Sequence, residues 1–203
     1  ATQDRRVAGV ALLNPWVQIH PPTIFLGFGS LTTLYSLAIA ALWTGDTRTW
    51  IGLIRPWLNL TVTLLGVGLA MGGFWAYETL GWGGFWAWDP VENTSFVPWV
   101  WSLALLHGFY VQSTTGQAQR ANLVLAGLSF LSFSYGTFLT RSGFLGDTSV
   151  HSFAQMERHA LQILVAMMLV SVVAFLGIYA WKRPRLAGPH SGPGWTRRRA
   201  WSG

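Results

Sequence analysis

Five long apolar stretches dominate the pattern of the chain: Ile24 to Trp43, Trp57 to Tyr77, Val97 to Gln112, Ala121 to Leu139 and Ala160 to Trp181. None of them contains Asp, Glu, Lys or Arg. A membrane-crossing helix needs roughly 20 apolar residues. In lipid a lone helix satisfies its own backbone, whereas an open sheet edge cannot. The pattern therefore predicts an all-α integral membrane protein with about five transmembrane helices. Polar segments connect them, and the one over 78–96 is unusually aromatic. In the second stretch Gly66, Gly68, Gly72 and Gly73 lie at spacings that let helices approach closely. This predicts a central helix and, by itself, only architecture.

Composition sharpens the picture. Of 203 residues 51% are hydrophobic and 10% charged, with 13 Trp and a mean hydropathy of +0.38, which excludes an ordinary soluble domain. There is no cysteine, so disulfides, thiolate metal sites and an internal thiol redox partner are excluded. Any metal must be held by His, Met or carboxylate. The net charge of +6 is unevenly placed. Segments 44–56, 113–120 and 182–203 hold Arg48, Arg55, Arg120, Lys182, Arg183, Arg185, Arg197, Arg198 and Arg199, against Arg5, Arg6, Arg141 and Arg158 on the other side. The positive-inside rule puts the first group in the cytoplasm and leaves 1–23, 78–96 and 140–159 external. The basic charge is then a membrane anchor, and no nucleic-acid partner is expected. Residues 1–181 read as one transmembrane core. Residues 182–203, rich in Gly, Pro and Arg, read as a disordered basic tail in which His190 is bland. No repeat is visible. The chain opens on Ala1 without a cleavable signal pattern, which is expected of a piece of a longer protein.

Candidate chemistry gathers on the external side. His20 precedes Pro21 and Pro22 at the mouth of the first span, while His151 and His159 precede the fifth. His107 is the one ionisable residue, tyrosines apart, inside a span, where a polar group is costly and normally faces the bundle interior. Taken singly, these are ordinary caps or structural residues; together they suggest metal or haem ligation. Among them runs Gly81-Trp82-Gly83-Gly84-Phe85-Trp86-Ala87-Trp88-Asp89-Pro90-Val91-Glu92-Asn93. An interfacial aromatic belt accounts for some of its tryptophans but not for its glycines. Gly81, Gly83 and Gly84 allow close approach to a flat partner, and Trp82, Trp86 and Trp88 offer broad apolar walls. Asp89, Pro90 and Glu92 predict a helix start with a capping box. Glu78, Asp89 and Glu92 share this segment with no base, so they either meet a cationic partner or stay protonated.

The string GWGGFWAWDPVENTSFVPW over 81–99 resembles CcmF-type cytochrome c haem lyases, of the haem-handling family with a tryptophan-rich (WWD) loop. The related CcsA and CcmC branches usually continue differently after Asp-Pro. The segment 14–22, ending in His20-Pro21-Pro22, and GTFLTRSGFLGDTSVHSFA over 136–154 agree with that branch. The resemblance runs from about Asn14 to Trp181. It implies that His20 and His151 ligate a substrate haem b at the external face, with Trp82, Trp86, Trp88, Asp89, Glu92 and Asn93 forming the surrounding loop. It implies that His107 ligates a second, membrane-embedded b-type haem.

The same resemblance implies an enzyme of the bacterial inner membrane, part of a complex, that joins haem vinyl groups to the CxxCH thiols of apocytochrome c. Its partners would be a haem chaperone and a thiol-handling subunit that presents apocytochrome. No separate nucleophile or general base is identified. Arg141 is a candidate for a haem propionate, or else a snorkelling interfacial anchor. The loop around Gly146 and Asp147 is slightly long for the family, which leaves His159 as a rival to His151, although the VHSFA context favours His151. Family members are also much longer, so the chain is a fragment, a split subunit or a reduced form. Two rival classes are a haem exporter or delivery protein without ligase activity, and a structural membrane subunit or small-solute transporter.

Overall fold

The computed structural model describes residues 14–79, 83–143, 145 and 156–182, and among these every regular element is an α-helix. In chain order they are α1 (Pro15–Thr44), α2 (Thr49–Thr79), α3 (Pro90–Thr115), α4 (Gln119–Arg141) and α5 (Arg158–Lys182). At about 1.5 Å per residue they are about 35 to 46 Å long. α1, α2, α4 and α5 are long and apolar enough to cross a membrane. α3 is long enough but more polar, since Glu92, Asn93, Thr94 and Ser95 open it and Ser113, Thr114 and Thr115 close it. It runs beside α2 and along α4, so packing rather than hydropathy sets its place in the bundle.

The helices overrun the apolar stretches, because capping chemistry and not hydropathy decides where they start. Asn14 caps α1 by accepting from the Trp16 amide at 2.9 Å, with Pro15 in the first turn. Pro21 and Pro22 therefore lie inside the helix. They remove the donors that would have reached the carbonyls of Val17 and Gln18, and their rings crowd those carbonyls. His20, expected at the mouth of a span, is a helical residue. α1 and α3 both end on a glycine in the left-handed region, Gly45 at φ 75° and Gly116 at φ 72°.

α1 lies against α2, α4 and α5, and α4 lies against α1, α3 and α5. Those two helices hold the centre, and α2, predicted there, sits to one side. The close approach expected of its glycines is present. A Cβ on Gly68 would fall 2.7 Å from Ile24 Cδ1, and one on Gly27 of α1 would fall 2.7 Å from Leu65 Cδ2. In lipid, contact of this kind holds helices together where transfer of apolar surface gains little. Leu31, Leu34, Ile54, Leu58, Leu65, Leu105 and Leu123 fill the core. α5 is the outermost helix: it inserts Phe175 over Gly127 and exposes Ile163, Met167, Val170 and Val173.

Candidate functional site

His20 sits half-buried against α2, with Nδ1 2.8 Å from the carbonyl oxygen of Gly68. A carbonyl can only accept, so Nδ1 carries the proton and Nε2 of the neutral ring carries the lone pair. Room for the ring comes from Gly72, whose added Cβ would lie 2.9 Å from His20 Cε1. A glycine that reads as architecture in the sequence is part of the site.

The loop that follows α2 folds back over it. Phe85 stacks on Tyr77 with centroids 4.4 Å apart and planes 5° from parallel, and also meets Phe74 edge-on at 5.5 Å. The Phe85 carbonyl rests on Gly73, where a Cβ would be 3.2 Å away. Trp86 and Trp88 both reach Phe96 of α3, at 5.8 and 6.4 Å. Trp99 fastens α3 to α2 by donating from its indole to the Val62 carbonyl at 3.0 Å.

The capping box read from the sequence is present: Asp89 Oδ1 accepts from the Val91 amide at 2.8 Å and Glu92 reaches back to Asp89. Glu92 does more than a cap requires. Its Oε2 accepts from the amides of Ala87 at 3.0 Å and Asp89 at 3.3 Å, on both flanks of Trp88. Asn93 Nδ2 donates to the Trp88 carbonyl at 3.4 Å. Trp88 has φ 58°, a left-handed conformation that costs a non-glycine residue about 1–2 kcal/mol. The residue is 69% exposed. The polar residues after the loop thus hold one tryptophan in a strained, outward pose. Glu78, the third acid of this segment, accepts from Asn14 Nδ2 at 2.8 Å.

Between α1, α2, α3, α4 and the loop lies a cavity of about 470 Å³. His20, Trp86, Glu92 and Arg141 all line it, drawn from three separate stretches of sequence, and Phe28, Leu69, Phe133 and Ile24 supply apolar wall. On the far side of Trp86 is a second hollow of about 560 Å³, floored by Gly66, Ala70 and Gly73 and walled by Trp88, Phe96 and Trp99. Cavities of several hundred Å³ with apolar walls and a few polar groups suit a drug-sized or larger organic ligand. One imidazole with a defined lone pair fits an iron already held by a porphyrin. Among the described residues no three His, Cys, Asp or Glu cluster to bind a bare metal ion.

Not every predicted residue joins this site. His107 lies on an exposed face of α3, its Nδ1 2.8 Å from the Leu103 carbonyl of its own helix. It was expected to face the bundle interior and faces outward, because Ser102, Leu105, Phe109 and Gln112 form the buried side of α3. His159 is exposed at the start of α5. Trp82 and His151 lie outside the described residues. The residues flanking the segment that carries His151 do meet: the Met156 amide donates to the Arg141 carbonyl at 3.3 Å, at the cavity's rim. Gly72, Phe85, Phe96 and Trp99 went unread as site residues. Phe85, Phe96 and Trp99 lay within the string over 81–99, and Gly72 among the four glycines of the second apolar stretch.

The cytochrome C assembly protein family matches residues 2–145. Cytochrome c-type biogenesis protein CcmF of Haemophilus influenzae is 38% identical over 176 residues, covering 84% of this chain and 27% of its own length. CycK of Rhizobium meliloti is 41% identical over 180 residues, with 86% and 26% covered. A probable cytochrome c-type biogenesis protein of Escherichia coli, NrfE, is 37% identical over 188 residues, with 87% and 32% covered. Among solved structures, cytochrome c heme lyase CcmF superposes with a TM-score of 0.66 at 37% identity, covering 84% of this chain and 27% of that one. The chain spans about a quarter to a third of the length of these relatives.

Proposed function

The chain belongs to the cytochrome c assembly protein family, and from that premise we propose that it binds haem b between α1, α2 and the tryptophan-rich loop and promotes its attachment to apocytochrome c. The single observation that carries this reading is the cavity: it joins His20, with Nδ1 on the Gly68 carbonyl, to Trp86, Glu92 and Arg141 across three separate stretches of sequence. The name of the superposed structure, a cytochrome c heme lyase, supports the same reading.

In this assignment His20, through Nε2, and His151 would hold the haem iron, and the Met156–Arg141 contact joins the two residues that flank the segment carrying His151. Two nitrogen ligands limit uncontrolled oxygen chemistry at the iron and tune its potential. Trp86, with Trp88 and Trp82 from the same loop, shields the porphyrin edge from lipid and water. Arg141 offers a planar fork suited to a propionate. Bound haem supplies the two vinyl groups. The thiols come from the CxxCH motif of the substrate, which agrees with a chain that has no cysteine. Each thiol adds across a vinyl group: the S–H and π bonds break, S–C and C–H bonds form, and no net electrons move. The protein's contribution is to hold the reactants together and in register.

The open end of the bundle is then the extracytoplasmic face of a bacterial inner-membrane protein. It meets apocytochrome c, a haem chaperone and a thiol-handling subunit that presents the apocytochrome. The outward imidazole of His107 suits a second b-type haem held between this bundle and another membrane element.

The test is optical. The detergent-purified chain is loaded with haem and its spectrum recorded before and after dithionite, for the native sequence and for His20→Ala, His151→Ala and His107→Ala. We expect the reduced bands of a six-coordinate haem, weakened at least tenfold in affinity by His20→Ala and His151→Ala. A component that survives those two and disappears with His107→Ala assigns the second site. A chain that takes up no haem sinks the reading.

A further inference from the structure

The geometry points to Gly72 as a positioning residue for His20: lacking a side chain, it admits the imidazole to the face of α2, keeps Nδ1 on the Gly68 carbonyl and so makes Nε2 the ligating nitrogen. The consequence for haem rests on the function proposed above. The positioning itself rests only on the contact between His20 and α2.

The other helix glycines show that this is not a general packing role. Gly27 and Gly68 face Leu65 and Ile24, the ordinary partners of close helix packing, and Gly66 faces the Trp99 indole. Among the described residues Gly29, Gly52 and Gly177 face nothing within 4 Å. At Gly72 the three nearest atoms are all in the His20 ring, Cε1 at 2.9 Å and both nitrogens at 3.4 Å. A methyl group there must displace the imidazole.

The ring has few ways to yield. His20 is followed by Pro21 and Pro22, whose φ angles are locked, so the α1 backbone at that level resists adjustment and the side-chain torsions must change. The Gly68 carbonyl belongs to α2 and cannot follow the ring. Displacing the ring lengthens or breaks the 2.8 Å bond between them. Such a bond does two things for a ligating histidine: it selects the tautomer, and it raises the basicity of the other nitrogen. A substitution on α2 with no contact to the iron would thus change the ligand.

The experiment reads the ring with and without haem. Imidazole nitrogen-15 shifts of haem-free chain in detergent, assigned by difference from His20→Ala, give the tautomer. Haem titration of the same samples gives affinity. We expect the Nδ1–H tautomer in the native chain and its loss in Gly72→Ala, with haem affinity falling at least about tenfold. Gly29→Ala is expected to match the native chain in both. In the His20→Ala background the methyl has no ring to meet, so adding Gly72→Ala should change affinity by less than about twofold. Retention of the Nδ1–H tautomer in Gly72→Ala overturns the proposal, as does an equal loss of affinity in both backgrounds. If Gly72→Ala alone fails to fold while the double variant folds like His20→Ala, the clash with the ring stands; if both fail, Gly72 is a packing residue and the proposal falls. A native chain that shows the tautomer and its loss but takes up no haem would leave the positioning intact and remove the haem reading.

Discussion

The two ends of the bundle treat polar side chains in opposite ways. Where the α1–α2 turn meets the α3–α4 turn, Thr47, Gln112 and Asn122 are buried and linked through Gln112. Gln112 donates to the Thr47 carbonyl at 2.8 Å and accepts from Asn122 Nδ2 at 2.7 Å, while the Thr47 hydroxyl donates to Gln119 at 2.8 Å. At the other end the polar groups are half-buried or exposed, and His20, Glu92 and Arg141 are among those that line a cavity. The helices and the lipid-compatible composition are the same at both ends. What differs is burial and room: the closed-end groups are packed against one another out of reach of solvent, whereas His20, Glu92 and Arg141 border a space that, under the proposed function, a ligand fills. Substitutions at the closed end should alter stability and spare ligand binding, and those at the open end should do the reverse.

The largest stability effect is expected from Gln112→Leu, which keeps the volume but strips a donor from the Thr47 carbonyl and an acceptor from Asn122. The Asn122 Oδ1 atom already has no partner among the described residues, so nothing nearby compensates. Each buried orphan costs about 1–3 kcal/mol in water-soluble proteins, and less in a membrane, where the unfolded chain also finds partners. A loss of about 2 kcal/mol in detergent denaturation is expected, with haem affinity within about twofold of native. A tenfold fall in affinity would break the division between the two ends.

Glu92→Ala probes the open end at its most ordered point. It frees the amides of Ala87 and Asp89 and removes half of the capping box. The stability cost should be about 1 kcal/mol, smaller than at Gln112. The sharper readout is hydrogen exchange: the Ala87 and Asp89 amides should exchange faster, and Trp88 should relax from its left-handed conformation. Unchanged exchange at those two amides would show that Trp88 is held by ring contacts and not by the carboxylate.

The same contrast explains what could be read from the sequence. The spans were legible because hydropathy is summed along one helix. So was the capping box at Asp89, whose donors and acceptors lie within four residues. The start of α1 at Pro15 was hidden, because a cap at Asn14 extends a helix past the apolar stretch that defines it. Rotation between helices was not legible at all. The role of Gly72 depends on which face α1 turns to α2, and the outward pose of His107 on which face α3 turns to α4. Neither register leaves a local mark in the chain. The cavity is a consequence of those registers, so its residues could be named one by one but not assembled. The Trp88 conformation was hidden for a related reason: nothing in a tryptophan predicts φ 58°, and the cause lies in Glu92 and Asn93.

The smallest effect is expected from Asp46, in the turn at the closed end. Its carboxylate accepts from the amides of Arg48 at 3.0 Å and Thr49 at 2.9 Å, closing the start of α2. Hydrogen bonding from Thr49 holds its pKa below the ordinary aspartate value, with Arg48 adding a weaker attraction. A carboxyl that ionises more readily in the folded than in the unfolded chain stabilises the fold above its unfolded pKa and loses that contribution as the pH falls through its folded one. The group is almost fully exposed, so solvent screens the charge and the cap is worth about 0.5 kcal/mol. Asp46→Ala should therefore lower stability by about that amount at neutral pH, and the difference from native should close in acid, below the ordinary aspartate range. Because Asp46 belongs to the closed end, neither haem affinity nor the His20 tautomer should change. A stability difference that persists unchanged into acid would assign the loss to the helix start itself and remove the carboxylate from the account of that turn.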